Sequence, residues 1–261
     1  MSNTLPNIGV WVISLPDNQD RLSRMAQQLE RMGMSWQHFS AVDGRKEYDE
    51  LLAQADAQAY ARNMGSPILP GKLGVYASHT RLWRQFLETE HELALIFEDD
   101  VVFHDDFPEA VQTACRIRAH WDVVRFNCVR AKMPITQGIA GRWRLNAYAG
   151  PFTGNAAYLI QRKTAEKLLA SIGPQTRALD HELNRFFHHD YRLLGLEPWA
   201  SHTDDGNVST ITGVGFAAVK KFKWYKRLPH YRLKAANYFR RVAWLVKKGM
   251  VLSSSRDLLK S

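Results

Sequence analysis

The chain of 261 residues has few cysteines and no long apolar run. Cys115 and Cys128 are its only cysteines, and their spacing is not that of a zinc site, so two reduced thiols in a cytoplasmic protein are the simplest interpretation. No stretch of 18 or more apolar residues exists, so no transmembrane helix is expected. The first residues lack a basic leader, which favours an opening strand over a signal peptide.

Internal repeats and low-complexity segments are also absent, and the apolar fraction of 45% is that of an ordinary globular protein. The chain begins with alternating strand and helix patterns. Residues 8–15 are apolar and β-branched, residues 18–32 have helical periodicity behind a possible Asp17 cap, and residues 36–42 form a second strand pattern. Strand, helix and strand in succession predict an α/β domain with a parallel sheet.

Acidic residues are almost missing from the end of the chain. Residues 219–261 contain 13 lysines and arginines and one acid, Asp257, whereas the preceding 218 residues have 22 bases and 25 acids. The net charge of +9 therefore comes from this end. We predict two parts, an α/β domain over residues 1–215 and a basic, aromatic tail over residues 216–261, called the tail from here on.

The tail has an amphipathic helical pattern over residues 231–250. A helix on an anionic membrane surface is the favoured interpretation, because tyrosine, phenylalanine and tryptophan accompany lysine and arginine. One alternative is a helix that packs on the α/β domain with a solvated basic face. Nucleic-acid binding is another, although no recognised motif for it is present. The predicted apolar face contains Ala235, Tyr238, Phe239, Val242, Leu245 and Val246.

Three adjacent carboxylates follow an apolar run in the first half of the chain. Residues 93–97 fit a strand buried on both faces, and Glu98, Asp99 and Asp100 come directly after it. Ligands collect at the carboxyl ends of strands in α/β sheets, and adjacent carboxylates repel one another unless a cation or donors relieve them. The arrangement predicts a divalent cation with a phosphorylated ligand. An acidic turn exposed to solvent is the alternative.

Four short motifs occur in order: ISLPDNQDR at 13–21, FSAVDGR at 39–45, GKLGVYASHTRLW at 71–83 and IFEDDVVF at 96–103. In sequence and separation, together with weaker matches as far as residue 211, they resemble glycosyltransferase family 25. That family includes bacterial lipopolysaccharide and lipooligosaccharide β-galactosyltransferases. The resemblance implies a GT-A-like fold with a Rossmann-type nucleotide-binding sheet flanked by helices. It also implies a UDP-sugar donor, Mn²⁺ or Mg²⁺, and inversion at the anomeric carbon.

The chain departs from the family pattern at Lys72, where an acid is expected, and at Val75, where cysteine is common. Within the acidic motif, the resemblance implies that Asp100 binds the metal directly. Glu98 would contact the ribose, or the metal through water, and Asp99 ranks third. A histidine or aspartate late in the chain would complete the metal site, with a loop histidine of no ligand role as the alternative. The candidates are His202 first, then Asp204 and Asp205.

An inverting transfer needs a general base to deprotonate the acceptor hydroxyl. Asp180 lies where the family has an aspartate and is the predicted base, and a helix N-cap is its other possible role. Glu182, Asp190 and Asp99 are rivals for the base. Residues 179–191 are expected to form one very polar helix.

Contacts to the donor nucleotide are expected at the strand ends. Arg21 could pair with the diphosphate or hold the acidic motif, and a solvated arginine is its alternative. Asp43 and Gly44 follow the second strand and suit uridine or ribose. Gly154 and Asn155 begin a later strand, where a glycine would allow the donor sugar to approach closely.

Two further segments concern the surroundings of this site. His79 shares an apolar helix face with Trp83 and Phe86, which predicts a buried histidine with a hydrogen-bond partner that could brace the metal loop. Residues 130–141 show no periodicity and contain Pro134 and two glycines, so we expect a mobile loop over the site.

These expectations describe a peripheral enzyme on the cytoplasmic face of the inner membrane. It would move a hexose, galactose from UDP-galactose in the simplest case, to a lipopolysaccharide or lipooligosaccharide core glycolipid, with the tail on the anionic membrane surface and no nucleic-acid partner. The alternatives are a metal-dependent phosphohydrolase of nucleotide-sugars and a non-catalytic module that binds lipid or nucleic acid.

Overall fold

The computed structural model describes residues 6–204 and 221–260. Its strands are β1 (Ile8–Ser14), β2 (Gln37–Ser40), β3 (Leu93–Glu98), β4 (Val101–Phe103), β5 (Val123–Arg125), β6 (Arg130–Ala131), β7 (Pro134–Ala140), β8 (Trp143–Tyr148), β9 (Phe152–Thr153), β10 (Ala157–Gln161), β11 (Leu193–Glu197) and β12 (Ser201–Thr203). Its helices are α1 (Gln19–Arg31), α2 (Tyr48–Ala53), α3 (Ala57–Met64), α4 (Pro70–Leu87), α5 (Phe107–Arg116), α6 (Arg162–Ser171), α7 (Leu179–Leu183), α8 (Phe186–His189) and α9 (Leu228–Lys247).

One sheet of eight strands, in the order β2-β1-β3-β10-β5-β11-β8-β7, organises the fold. β1 pairs in parallel with β2 and β3, and β5 with β11, whereas β10 and β8 run antiparallel to both of their neighbours. The predicted α/β class is confirmed, but the sheet is mixed rather than parallel. Antiparallel β7 and β8 are joined by a hairpin and need no crossover helix. The sequence therefore shows no alternation of strand and helix patterns over these two strands.

The strand β3 lies inside the sheet, and its residues 93–97 are at most 2% exposed, as predicted for a strand buried on both faces. Helix α4 covers this region with Leu82, Trp83 and Phe86, which are fully buried. The Trp83 indole Nε1 donates a hydrogen bond to the Tyr158 hydroxyl on β10 over 2.9 Å, which ties the helix to the sheet without leaving a buried donor unpaired.

The prediction of a mobile loop over residues 130–141 is wrong, because these residues form β6 and the edge strand β7. β7 pairs with β8 along its length, with a register shift between Thr136 and Gly138. This bulge interrupts the alternation of inward and outward side chains by which a strand is recognised in a sequence. The hairpin turns at Gly141, whose φ of +61° suits a glycine.

Residues 179–191 form two short helices, α7 and α8, instead of the single helix expected. The break brings Arg185 and His189 together on the buried carboxylate of Glu182. The predicted Asp17 cap is also wrong: Asn18 occupies the N-cap of α1 without a side-chain cap bond, and Asp17 pairs with Lys46 over 3.2 Å.

Helix α9 of the tail packs on the α/β domain. Trp244 and Leu245 are buried there, whereas Phe239 and Val246 are 73% and 58% exposed. The predicted apolar face is therefore divided between the domain and solvent. The predicted boundary between residues 215 and 216 lies outside the described residues. Across residues 6–204 and 221–260, no helix combines the length and the apolar character needed to cross a bilayer.

Candidate active site

A cleft of about 880 Å³ opens at the carboxyl ends of β1, β2 and β3. Strand ends at this edge of an α/β sheet present loops and backbone donors to ligands. Nine of the predicted metal and nucleotide residues line the cleft, although they come from widely separated parts of the chain. They are Arg21, Asp43, Gly44, Glu98, Asp99, Asp100, Gly154, Asn155 and His202.

The acidic motif forms a tight turn between β3 and β4. Asp99 faces the first strand–helix connection, where its carboxylate accepts hydrogen bonds from the Ser14 hydroxyl over 2.7 Å and from the Asn18 amide over 3.3 Å. Arg21 Nη1 lies 3.0 Å from Asp99 Oδ1. Of the two roles considered for Arg21, the structure shows the one in which it holds the acidic motif. Asp99 is therefore well compensated.

Asp100 has no comparable compensation. Its Oδ1 atom is buried and has no hydrogen-bond partner among the described residues. Burial, followed by the charges of Glu98 and Asp99, raises the pKa of Asp100 to about 7. The charge of Arg21 offsets these effects only in part, so ionised Asp100 lies in a site that disfavours its charge, which is the environment that a bound cation relieves.

Glu98 is braced from α4. His79 is 1% exposed, its Nδ1 lies 2.9 Å from the Tyr158 hydroxyl, and its Nε2 lies 3.4 Å from Glu98 Oε1. The prediction of a buried, hydrogen-bonded histidine beside the acidic motif is confirmed. Within the described part of the chain, no three histidine, cysteine or acidic side chains are gathered closely enough to hold a metal by themselves.

His202 reaches the cleft because β12 pairs with β4, which places it opposite Val102. His104 Nε2 lies 2.9 Å from His202 Nδ1, and His104 Nδ1 lies 3.0 Å from the Trp199 carbonyl oxygen. A carbonyl can only accept, so Nδ1 of a neutral His104 carries its proton and Nε2 accepts from His202 Nδ1. With both rings neutral, His202 therefore keeps its lone pair on Nε2, the nitrogen that a metal would need. The predicted substitute Asp204 lines the cleft too, and Asp205 lies outside the described residues.

Arg125 is a residue that the sequence analysis missed. It is fully buried in β5, and its guanidinium donates to the Phe152 carbonyl over 2.7 Å and to Asn155 Oδ1 over 2.5 Å. Because Arg125 holds the Asn155 oxygen, the NH₂ end of that amide is the part available to a ligand. An arginine between Val124 and Phe126 in a buried strand was the available signal, since a buried charge needs specific partners.

Two glycines shape the cleft wall. A Cβ at Gly44 would lie 1.9 Å from the Pro70 carbonyl oxygen, so the β2 loop and the start of α4 touch backbone to backbone. Gly154 has a φ of +103°, and a Cβ there would lie 2.8 Å from the Val129 nitrogen. Beside Gly44, the hydrogen bond from Arg45 lowers the pKa of Asp43, so this carboxylate is ionised next to the cleft.

The predicted base, Asp180, is not among the residues that line the cleft. Burial raises its pKa, but the charges of His181, Lys72 and Arg125 outweigh burial and hold the pKa below its usual range. Its rivals are poor bases: Glu182 is buried against two arginines and a histidine, and Asp190 binds Trp244 and Lys248 of the tail.

Comparison with known proteins gives the family. A family model described as glycosyltransferase family 25, LPS biosynthesis protein, matches residues 7–183. The chain is 27% identical over 167 residues to a glycosyltransferase 25 family member of Aedes aegypti, covering 61% of this chain and 27% of that protein. It is 24% identical over 173 residues to procollagen galactosyltransferase 1-B of Xenopus laevis, covering 61% and 28%.

A third relative, inactive glycosyltransferase 25 family member 3 of Mus musculus, is 27% identical over 170 residues, covering 62% of this chain and 28% of that protein. The chain spans less than a third of the length of these three curated relatives. Among solved structures, A197 from STIV has a TM-score of 0.44 at 13% identity, covering 76% of this chain and 85% of that one. The family model covers well over half of the chain, and this protein belongs to glycosyltransferase family 25.

Proposed function

We propose that this chain is an inverting, metal-dependent glycosyltransferase that takes galactose from UDP-galactose. The observation that carries the proposal is the acidic turn at the end of β3, where Asp100 presents a buried oxygen that has no hydrogen-bond partner among the residues that the structure describes. Family membership supports sugar transfer. The cleft volume of about 880 Å³ lies within the range of sites that enclose ligands of nucleotide-sugar size.

The acidic turn fits a hard divalent cation such as Mn²⁺ or Mg²⁺, since it offers carboxylate oxygens whose mutual repulsion is only partly relieved. Asp100 would hold the ion, with Glu98 and His202 Nε2 as further ligands. Water and diphosphate oxygens would complete the coordination, because the described side chains do not form a closed set. Such an ion would neutralise the negative charge of the departing diphosphate.

The remaining cleft residues would bind and orient the donor. Ionised Asp43 and the close backbone at Gly44 suit the hydroxyls of uridine or ribose. Asn155, fixed by Arg125, offers its amide NH₂ to the sugar, and Gly154 keeps that wall free of a side chain. Together these contacts would orient the anomeric carbon for attack, and orientation accounts for much of the rate enhancement in reactions of this kind.

The base assignment is a finer proposal that rests on the resemblance. We propose Asp180, which is ionised at neutral pH, while the charges of His181, Lys72 and Arg125 that lower its pKa also make it a weaker base. Asp180→Asn is expected to lower kcat by about 10²- to 10⁴-fold with little change in the affinity for the donor. Asp190→Asn is the matched control, since Asp190 lies on the same polar segment and is engaged by the tail. A kcat for Asp180→Asn within threefold of the parent would exclude Asp180 as the base.

The proposed donor sugar and acceptor are supported by the names of related proteins and not by the geometry of the cleft. The printed name of the Xenopus relative contains galactosyltransferase, and the family description contains LPS biosynthesis. These support galactose as the donor sugar and a lipopolysaccharide or lipooligosaccharide core as the acceptor. Because the name of the Xenopus relative also contains procollagen, the acceptor needs its own test.

The deciding experiment measures UDP release from several UDP-sugars with Mn²⁺, with and without core glycolipid. We expect release that requires the acceptor, is fastest with UDP-galactose and stops when the metal is chelated. Equal turnover of the nucleotide-sugar without acceptor would indicate a phosphohydrolase instead. Absence of turnover under all conditions would indicate a non-catalytic module, which the inactive relative makes a serious alternative.

A further inference from the structure

Exposed apolar side chains are concentrated in the tail. Eleven large apolar side chains are exposed among the described residues, and nine of them lie within residues 221–260. The other two, Val129 and Met133, lie in the α/β domain. A soluble surface seldom gathers this much apolar area in one place without a binding role. The nine are Trp224, Tyr225, Leu228, Tyr231, Phe239, Val246, Val251, Leu252 and Leu259.

The exposed residues of α9 share one face of the helix. At about 100° per residue, Leu228, Tyr231, Phe239 and Val246 fall within an arc of roughly 80°. The buried residues Arg241, Trp244 and Leu245 lie on the roughly opposite side, against the domain. The helix therefore has two functional sides. One side packs on the domain, and the other presents an apolar stripe to solvent. We call this stripe the outer face. The exposed side chains of Trp224, Tyr225 and Leu252 lie just beyond the two ends of the helix.

The tail that carries the outer face is strongly basic. Residues 221–260 contain 12 lysines and arginines and one acid, Asp257. Seven of these bases are exposed and, within the part of the chain that the structure describes, form no ion pair: Lys221, Lys223, Lys226, Arg232, Lys234, Arg240 and Lys247. The charge is thus available to an anionic partner.

We propose that the outer face docks on an anionic lipid bilayer. Aromatic side chains with an apolar body and a polar edge favour the boundary between headgroups and acyl chains, and aliphatic Leu228, Val246 and Leu252 gain by entering it. Each nearby lysine or arginine adds attraction to acidic headgroups. Apolar stripe and basic flank therefore contribute to the same contact. Helix α9, with 20 residues, is about 30 Å long and could contact the membrane over that length.

Two other partners suit the outer face less well. Single-stranded nucleic acid binds in basic grooves where bases stack on aromatic rings. Here the surface is one side of a helix, and its aliphatic residues would gain nothing from stacking. A second copy of the chain would bring two positively charged surfaces together across a symmetric interface, which is repulsive.

The tail lies beside the candidate active site. The Phe222 nitrogen donates to the Gly65 carbonyl over 3.0 Å, just before the Leu69–Gly71 part of the cleft wall. Farther along, the Tyr238 hydroxyl lies 2.8 Å from Met133 Sδ, near cleft residue Val129. Docking would therefore hold the cleft close to a membrane-anchored acceptor and raise its effective concentration. This consequence rests on the proposed function, whereas the docking itself does not.

The inner side of the tail decides how the proposal can be tested. Leu245, Met250 and Leu258 are buried, and the Leu258 nitrogen donates to the Ile139 carbonyl on β7 over 2.8 Å. Lys248 pairs with Asp190 over 2.9 Å. Removal of the tail would uncover part of the core, so a truncated chain cannot separate docking from folding. Substitutions confined to exposed residues can.

The test measures sedimentation of the full chain with vesicles of phosphatidylcholine containing 30% phosphatidylglycerol, and with pure phosphatidylcholine. We expect binding to the anionic vesicles that weakens in high salt, and little binding to the neutral ones. The double variant Arg240→Glu and Lys247→Glu should lower the partition coefficient by about tenfold or more. Phe239→Ser should lower it by roughly threefold to tenfold through lost apolar burial.

The matched control is Arg116→Glu with Lys163→Glu, two exposed bases of α5 and α6 that carry the same change in net charge. It should bind like the parent, and all variants should unfold at similar temperatures. Equal loss in the control, parental binding by both outer-face variants, or no preference for anionic vesicles would each overturn the proposal. Binding to single-stranded RNA without vesicle binding would also overturn it. So would dimerisation of the parent without vesicle binding, if Phe239→Ser abolishes the dimer. Vesicle binding is read without donor or acceptor, so its outcome is independent of the proposed transferase activity.

Discussion

Asp100→Asn is expected to lower kcat for sugar transfer by about 10³-fold, equivalent to roughly 4 kcal/mol of transition-state stabilisation. The physical reason is that the amide keeps the size of the side chain but removes the charge that would hold the divalent cation against the departing diphosphate. Steady-state kinetics with UDP-galactose and titration of Mn²⁺ should show both effects, a loss of turnover and a weakened affinity for the metal.

Stability distinguishes this loss from misfolding. Because the raised pKa of Asp100 shows that its charge is unfavourable in the metal-free fold, Asp100→Asn should unfold at no lower temperature than the parent in chelator. Asp105→Asn, an exposed carboxylate nearby, is the control and should leave kcat unchanged. Wild-type Mn²⁺ affinity in Asp100→Asn would contradict the assignment of the metal.

His104→Ala extends the same metal titration. The substitution leaves the site carboxylates in place but removes the ring that determines which nitrogen of His202 carries the proton. We expect a 10- to 100-fold loss of Mn²⁺ affinity, the usual effect of losing a residue that orients a metal ligand. An affinity equal to that of the parent would show that His104 does not orient a ligand of the ion.

Glu182→Gln is expected to destabilise the protein by about 3–5 kcal/mol, because it leaves two largely buried guanidinium groups without their counter-charge. The Glu182 carboxylate lies 2.7 Å from Arg185 Nη1, 2.9 Å from His189 Nε2 and 3.2 Å from Arg177 Nη1. Thermal unfolding should show a fall in Tm of roughly 10 °C for a chain of this size.

The pH dependence of this effect has a definite sign. Burial alone would raise the pKa of Glu182, but the hydrogen bond from His189 and the charges of Arg185 and Arg177 lower it to about 2. A carboxyl with a depressed folded-state pKa stabilises the fold above its ordinary value of 4.5 and loses that contribution as the pH falls towards 2. The stability difference between parent and Glu182→Gln should therefore be constant near neutral pH and narrow below about pH 4.5.

Glu47→Gln is the matched control for burial. Glu47 lies 2.7 Å from Arg81, as close as Glu182 lies to Arg185, but both side chains of the Glu47 pair are at least one-third exposed. Exposed pairs contribute less than about 1 kcal/mol, so the control should barely change Tm. Equal effects of the two substitutions would show that distance alone, and not burial, determines the contribution of these pairs.

Local pattern was sufficient for the elements that lie near the site. The apolar run before Glu98 predicted β3, and the helical spacing around Trp83 predicted the buried face of α4 and the place of His79. Residues 130–141 failed because a bulge hides their alternation, and residues 179–191 failed because their helix breaks to assemble the charges around Glu182. Both failures come from tertiary contacts that outweigh local preference.

The sequence by itself determined that the chain is α/β, that three carboxylates end a buried strand, and that the tail is basic and amphipathic, because each of these depends on residues close together in the chain. Only the tertiary structure decided their roles. Arg21 compensates Asp99 across 78 residues, and His104 meets His202 across 98. Among the described residues, Asp100 is left with a buried Oδ1 that has no hydrogen-bond partner, and α9 directs Phe239 away from the domain. Partners so distant in sequence follow from strand order and packing, which no local period encodes.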